Sequence, residues 1–268
     1  MPTKSRSYFI LIAMLALLAA APAQAGTRDE IKALKEEVQG LREGQEKMQS
    51  ELAEIKQLLQ KQERPTPPSR AQAFKPTGIR LGETMMKGEQ DAPVTLIEYS
   101  DYHCPYCKRH ATRVMPALLK NYVDSGKVRF VMREYPIPRL HPRAEAASRV
   151  ALCAGEQGKY WEMHDALFED QKTTTDEHFD SLADGLGLDK AAFSECLGSE
   201  RITARIKANT SEAQSLGVTG TPSFVVGLTD PENPDKVNLT KFIRGAQSQQ
   251  NFEAAIDELL KTAKLDGR

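Results

Sequence analysis

The residues best equipped for chemistry in this 268-residue chain are Cys104 and Cys107, separated by Pro105 and Tyr106. A Cys-x-x-Cys pair can carry a disulfide, hand it on, or clip a metal. Its setting bears on which. Before it, residues 94–99 (Val-Thr-Leu-Ile-Glu-Tyr) are β-rich, bounded by Pro93 and by Ser100 and Asp101, and read as a buried strand. After it, residues 108–122 place Val114, Leu118 and Leu119 at helical spacing. The pair therefore sits where a strand hands over to a helix. The first turn of a helix presents unpaired N–H groups and the positive end of its dipole, and both favour a thiolate. One turn also returns the second sulfur to disulfide distance. Cys104 is expected to be the exposed, attacking sulfur and Cys107 the one that resolves the mixed disulfide.

A zinc site would need two more ligands at suitable spacing, and no second Cys-x-x-Cys or paired His motif is present. His103 and His110 flank the pair, and Met85 and Met86 lie upstream, so a copper- or zinc-binding module stays open as a different class of function. A scaffold whose disulfide is only structural is a further option. His103, Pro105 and Tyr106 are expected to tune the neighbouring thiolate, with solvent exposure the plainer reading of His103. Thiol–disulfide exchange itself needs no cofactor.

Lys and Arg total 36 against 37 Asp and Glu, a net charge of −1 that excludes nucleic-acid binding by bulk charge. Four cysteines are too few for a disulfide-built scaffold and enough for one site and one brace. The N-terminus sets the compartment. Residues 1–7 carry Lys4 and Arg6 and no acid, residues 8–21 are an almost unbroken apolar run, and Ala23-Gln24-Ala25 supplies small residues at −3 and −1. This predicts a signal peptide over residues 1–25 and a periplasmic product, soluble after cleavage, the run falling short of the ~20 residues of a spanning helix. In an exported protein Cys153 and Cys196 are expected to pair with each other as a structural disulfide.

The rest of the chain must position these groups. Ile31, Leu34, Val38, Leu41, Gln45, Met48, Leu52, Ile55 and Leu59 step by three and four, a heptad seam broken only by Gln45. Glu30, Glu37 and Glu51 fall at g and Lys35, Arg42 and Lys56 at the following e positions, which favours parallel strands. A coiled-coil stalk is expected over residues 26–64, joining chains into a dimer or trimer through residues 31–59. A Pro-rich linker follows over residues 65–77, with Pro65, Pro67 and Pro68 ending the helix. The remaining residues, 78–268, form the catalytic domain. Residues 143–153, 160–170, 191–197 and 202–216 are helical in pattern and make a helical insertion at about 141–216. Beyond it come a hairpin (residues 223–228 and 237–244) and a closing helix (252–264).

Residues 91–107 (Asp-Ala-Pro-Val-Thr-Leu-Ile-Glu-Tyr-Ser-Asp-Tyr-His-Cys-Pro-Tyr-Cys) resemble the opening of a DsbA-like thiol–disulfide oxidoreductase domain. Glu134-Tyr-Pro-Ile-Pro138 with His141-Pro142, the segment 153–168, and Gly217-Val-Thr-Gly-Thr-Pro-Ser-Phe224 are similar to later family segments in the same order. The stalk resembles that of the oligomeric, ScsC-like members. The resemblance implies an α/β thioredoxin-like fold with an inserted helical subdomain. It implies that Pro222 is a cis-proline facing Cys104 with Thr221 before it, and that Glu98 is the buried acid exchanging protons with the resolving thiol. Partners would be cysteine-containing exported proteins and a membrane-bound redox partner. The stalk favours a disulfide isomerase or reductase; a dithiol oxidase is the alternative.

Overall fold

The computed structural model describes residues 23–61, 74–173 and 175–265. The expected signal peptide, apart from its last three residues, and most of the expected linker lie outside them. The chain divides into two units, residues 1–69 and residues 70–268.

The described part of the first unit is one helix, α1 (Ala23–Lys61), 39 residues long. It begins before the expected cleavage point and runs through Gly40 and Gly44 without a break. The seam residues Ile31, Leu34, Val38, Leu41, Met48 and Leu52 are all exposed, from 44% for Val38 to 68% for Leu41. A helix this long with an exposed apolar stripe is marginal by itself, since most helical stability comes from packing an amphipathic face.

The second unit is built on a six-stranded sheet in the order β1-β6-β5-β3-β4-β2. The strands are β1 (Thr77–Arg80), β2 (Met85–Lys87), β3 (Val94–Ser100), β4 (Val128–Glu134), β5 (Ser223–Thr229) and β6 (Lys236–Arg244). Among the described residues only β3 and β4 pair in parallel. The three central strands β3, β5 and β4 are buried along their whole length, as runs rich in Val, Ile and Phe should be. Alternate residues divide the core. Leu96, Phe130, Phe224 and Val226 face the helices that carry the cysteines, while Ile97, Val131 and Val225 face the opposite side with Ala213 and Val218. At the hairpin, Gly227 lies beside a register shift, and a Cβ there would come within 2.3 Å of the Asn238 carbonyl oxygen, so only glycine fits.

The helix after the cysteine pair differs from the single helix expected over residues 108–122. It starts at Pro105 as α2 (Pro105–Arg113), breaks at Val114, and continues as the short α3 (Met115–Leu118) and one wider turn, Leu119–Val123. Pro116 explains the break, since it has no N–H to give the Thr112 carbonyl one turn back.

Between β4 and β5 the chain inserts five helices: α4 (Ala144–Glu156), α5 (Tyr160–Glu169), α6 (Asp176–Gly185), α7 (Lys190–Leu197) and α8 (Glu200–Ser215). Four match the expected segments. The fifth, α6, has only a thin apolar stripe, and its start is fixed by the Thr175 hydroxyl accepting from the His178 N–H. Cys153 in α4 and Cys196 in α7 form a disulfide, with Cα atoms 5.6 Å apart. The chain closes with α9 (Gln249–Leu265), whose Phe252 and Ile256 complete the helical face of the core.

Candidate active site

Cys104 occupies the N-cap of α2 in extended conformation (φ −77°, ψ 119°), and Pro105 fills the first helical position, where a missing N–H costs nothing. Cys104 and Cys107 are both free of any disulfide. Contrary to expectation, Cys104 is not exposed: only 4% of the residue is accessible, against none of Cys107. What separates the two sulfurs is their polar surroundings. A hydrogen bond from the Cys107 thiol pulls Cys104 down to about 6 against the opposing effect of burial, helped by the Thr221 side chain and by backbone N–H groups of Cys107 and Tyr106. Burial pushes Cys107 far the other way, and its role as donor to Cys104 adds to that. The surroundings thus favour the charged form of one sulfur and the neutral form of the other.

The Cys104 Sγ lies 3.4 Å from the Thr221 carbonyl oxygen, across the loop that precedes β5. The Thr221–Pro222 peptide bond is cis. The loop is fastened on both flanks: the Ser223 hydroxyl donates to the Gly220 carbonyl (2.6 Å) and the Gly245 N–H donates to the Pro222 carbonyl (2.9 Å). From α2, the Arg109 guanidinium donates to the Ala246 carbonyl at 3.1 Å. The structure therefore brings Cys104, Cys107, Thr221 and Pro222 to one place.

Glu98 lies on β3 beneath them, 1% accessible. Burial pushes its carboxyl up to about 8, and the charges of Cys104 and Glu134 push in the same direction. His110 Nε2 stands 3.7 Å from the Glu98 carboxylate, but burial holds that imidazole down to about 3, so it is neutral and supplies no countercharge. Glu98 in turn raises Cys107. The carboxyl and the resolving thiol titrate as neighbours.

The tuning residues are placed less centrally. The His103 imidazole is lowered by burial and has Asp101, His141 and Arg143 as its electrostatic neighbours, while the strongest influences on Cys104 come from elsewhere. Tyr106 is exposed, with the Arg109 guanidinium 5.1 Å from its ring centre. Met85 and Met86 do not converge on the dithiol. Met85 packs on the helical face of the sheet and Met86 on the opposite face, which strand alternation requires. Among the described residues no cluster of three His, Cys, Asp or Glu side chains could hold a metal ion.

Two residues escaped the sequence reading. The buried Asp101 carboxylate accepts from the His103 and Ile137 N–H groups, both at 2.8 Å, and pairs with the His141 ring at 2.9 Å, joining the active-site loop to the segment after β4. Gln171, just past α5, donates to the carbonyls of Tyr102 (2.6 Å) and Cys104 (3.0 Å). The acid at 101 could have been suspected from its place before the cysteines. Nothing local marks Gln171.

A thioredoxin family model matches residues 80–258. The chain belongs to the thioredoxin family. A probable disulfide bond formation protein D of Bacillus anthracis is 30% identical over 163 residues, covering 58% of this chain and 75% of that protein. The crystal structure of alpha-DsbA1 from Wolbachia pipientis superimposes with a TM-score of 0.61 at 23% identity, covering 71% of this chain and 97% of that one. A third relative, Na(+)/H(+) antiporter NhaA 3 of Salinispora tropica, is 38% identical over 141 residues, which is 53% of this chain and only 21% of that protein's length. The matched region of this chain is a thiol–disulfide oxidoreductase domain of DsbA-like type. No helix among the described residues is long and apolar enough to cross a membrane.

Proposed function

We propose that the whole chain is a periplasmic thiol–disulfide oxidoreductase that acts on cysteines of exported proteins through Cys104 and Cys107, working as an isomerase or reductase. The observation that carries the exchange chemistry is geometric: Cys104 sits at the N-cap of α2 with its Sγ 3.4 Å from the Thr221 carbonyl oxygen of the cis Thr221–Pro222 loop, and the fully buried Cys107 follows one helical turn on. The Cys104 thiolate attacks a substrate disulfide. A Cys104–substrate bond forms, the substrate S–S bond breaks, and the pair of electrons leaves on the second substrate sulfur. Two routes lead on. If another substrate thiolate attacks the mixed disulfide, Cys104 is released and the substrate is rearranged without net redox change. If Cys107 attacks, the substrate leaves reduced and the Cys104–Cys107 disulfide forms.

The lean towards isomerisation rests on α1. Its exposed seam is a parallel coiled-coil pattern, and joining chains through it would hold several dithiols around one substrate. It would also hinder docking on a membrane-bound oxidant. Equilibration of the protein with glutathione buffers tests the direction. The expected potential is well below the roughly −120 mV of a strong dithiol oxidant, and a value near that figure overturns the isomerase reading. Refolding of scrambled ribonuclease by the full chain, and by a Leu34→Lys, Leu41→Lys variant, tests the seam. Equal activity and equal molecular mass for the two proteins would remove it from the function.

A further inference from the structure

Beneath the dithiol lies a second buried carboxyl that the exchange chemistry described so far does not use. Glu134 ends β4, and its Cα partner across the sheet is Ser100 on β3; Glu98 pairs likewise with Met132. Paired residues of neighbouring strands share a face, and every second residue returns to it. Glu98, Ser100 and Glu134 therefore project from one side of the sheet, the side that carries Cys107. Glu98 and Glu134 are each 1% accessible and Ser100 is fully buried. From the insertion, the Tyr160 hydroxyl donates to Glu134 Oε1 at 2.5 Å, and the Tyr102 hydroxyl donates to that of Tyr160 at 3.1 Å. Tyr102 is two residues from Cys104, so the chain of hydroxyls runs back to the reactive loop.

The surroundings of the two carboxyls are asymmetric. Glu98 faces Cys104, Cys107 and the neutral His110, and the Ser100 hydroxyl alone draws it back towards the charged form. Glu134 is raised to about 7 by burial, and the Tyr160 and Ser148 hydroxyls and the Arg205 charge pull it partly back, while Asp101 pushes it up. Both phenols are raised by burial and by the Glu134 charge, so they remain hydrogen-bond donors. Two carboxyls on one dry face repel when both are ionised, and such a pair binds its protons in linked steps.

We propose that Glu134, held by Tyr160 and Tyr102, is a second proton acceptor behind Glu98, so that the two carboxyls share the proton released by Cys107. The inference rests on the exchange reading above. In the resolving step Cys107 gives up its proton, its sulfur bonds to Cys104 Sγ, and the Cys104–substrate bond breaks with the electron pair leaving on the substrate sulfur. The carboxyl pair enters this step holding one proton and leaves it holding two; the reverse step returns the proton to Cys107. Glu134 touches no reacting sulfur and acts only through Glu98.

The test loads Cys104 with a glutathione mixed disulfide and follows its resolution by Cys107 between about pH 5 and pH 9, in the full-length protein and in Glu134→Gln, Tyr160→Phe and Glu98→Gln variants. Removing the Glu134 charge relieves Glu98, so E134Q is expected to move the midpoint of the profile about one pH unit towards acid and to replace two linked ionisations by one. Y160F, which leaves Glu134 less charged, moves it the same way by less. An E134Q profile that overlies the unsubstituted one, in a variant that melts normally, overturns the proposal. If E134Q does not fold, an unshifted Y160F profile does so instead. Failure of the exchange reading looks different: the unsubstituted protein does not resolve the mixed disulfide at any pH. If E98Q alone keeps the unsubstituted profile, no proton passes through Glu98 and the shared acceptor falls with it.

Discussion

The four cysteines are almost equally buried, yet the two pairs live in different chemical worlds. Cys153 and Cys196 are 0% and 6% accessible and are joined between two helices of the insertion. Cys107 and Cys104 are 0% and 4% accessible and stand free of any disulfide at a strand-to-helix junction. Depth is therefore not what makes a sulfur reactive here. The difference lies in the polar groups nearby: a helix start, the Thr221 loop and two carboxyls surround one pair, and the apolar faces of α4 and α7 surround the other.

The sharpest way to break this contrast is to delete each pair in turn. Cys104→Ser is expected to reduce disulfide exchange to the uncatalysed background with little change in urea unfolding. Cys153→Ser with Cys196→Ser is expected to keep exchange in the folded protein and to lose about 4 kcal/mol of stability, the chain-entropy value for a loop of this length, with sequence separation 43. Activity loss in the second variant under folding conditions would erase the distinction between site and brace.

Glu98→Gln tests whether the carboxyl belongs to the reactive pair. Resolution by Cys107 should slow by about tenfold or more. Stability should shift with a definite sign. A carboxyl raised from 4.5 to about 8 contributes fully below its unfolded value and loses that contribution as pH rises through about 8. The variant should therefore gain stability over the unsubstituted protein from pH 5 upwards, most at alkaline pH, in urea melts at matched pH. An equal difference at pH 5 and pH 9 would disconnect Glu98 from the titration.

A smaller effect appears in alkylation. Cys104 should react with iodoacetamide with a midpoint near pH 6, and Cys107 should stay silent across the neutral range. The same lowered value makes the reduced form gain stability that is complete above the ordinary thiol value of 9.0 and is lost as pH falls through about 6. Smallest of all, Thr221→Val removes one hydroxyl and should raise the alkylation midpoint by less than about one unit, because the Cys107 thiol is the stronger donor. A larger shift would make Thr221 the main tuner.

Most of the elements that carry the site were legible in the sequence because their signals are local. Residues 94–99 are a run of strand formers, residues 223–228 another, and Cys104 to Cys107 span one helical turn. The break at Val114 was missed although its cause, Pro116, was in plain view. The helix Asp176–Gly185 was missed because few apolar residues mark it. Glu134, Tyr160 and Tyr102 meet from β4, the insertion and the reactive loop, so only strand register and helix packing bring them together. Cys104 was expected at the surface on the general habit of attacking sulfurs; the Thr221 loop covering it comes from more than a hundred residues downstream.

The two hydrogen bonds from Gln171 to the backbone around Cys104 have a mechanical consequence. They tie the insertion to the backbone of the loop that carries Cys104. Held by Gln171 on one side and facing the Thr221 loop on the other, that backbone has little room to shift. A polypeptide pairing with Cys104 would have to adjust its own backbone to that of the site.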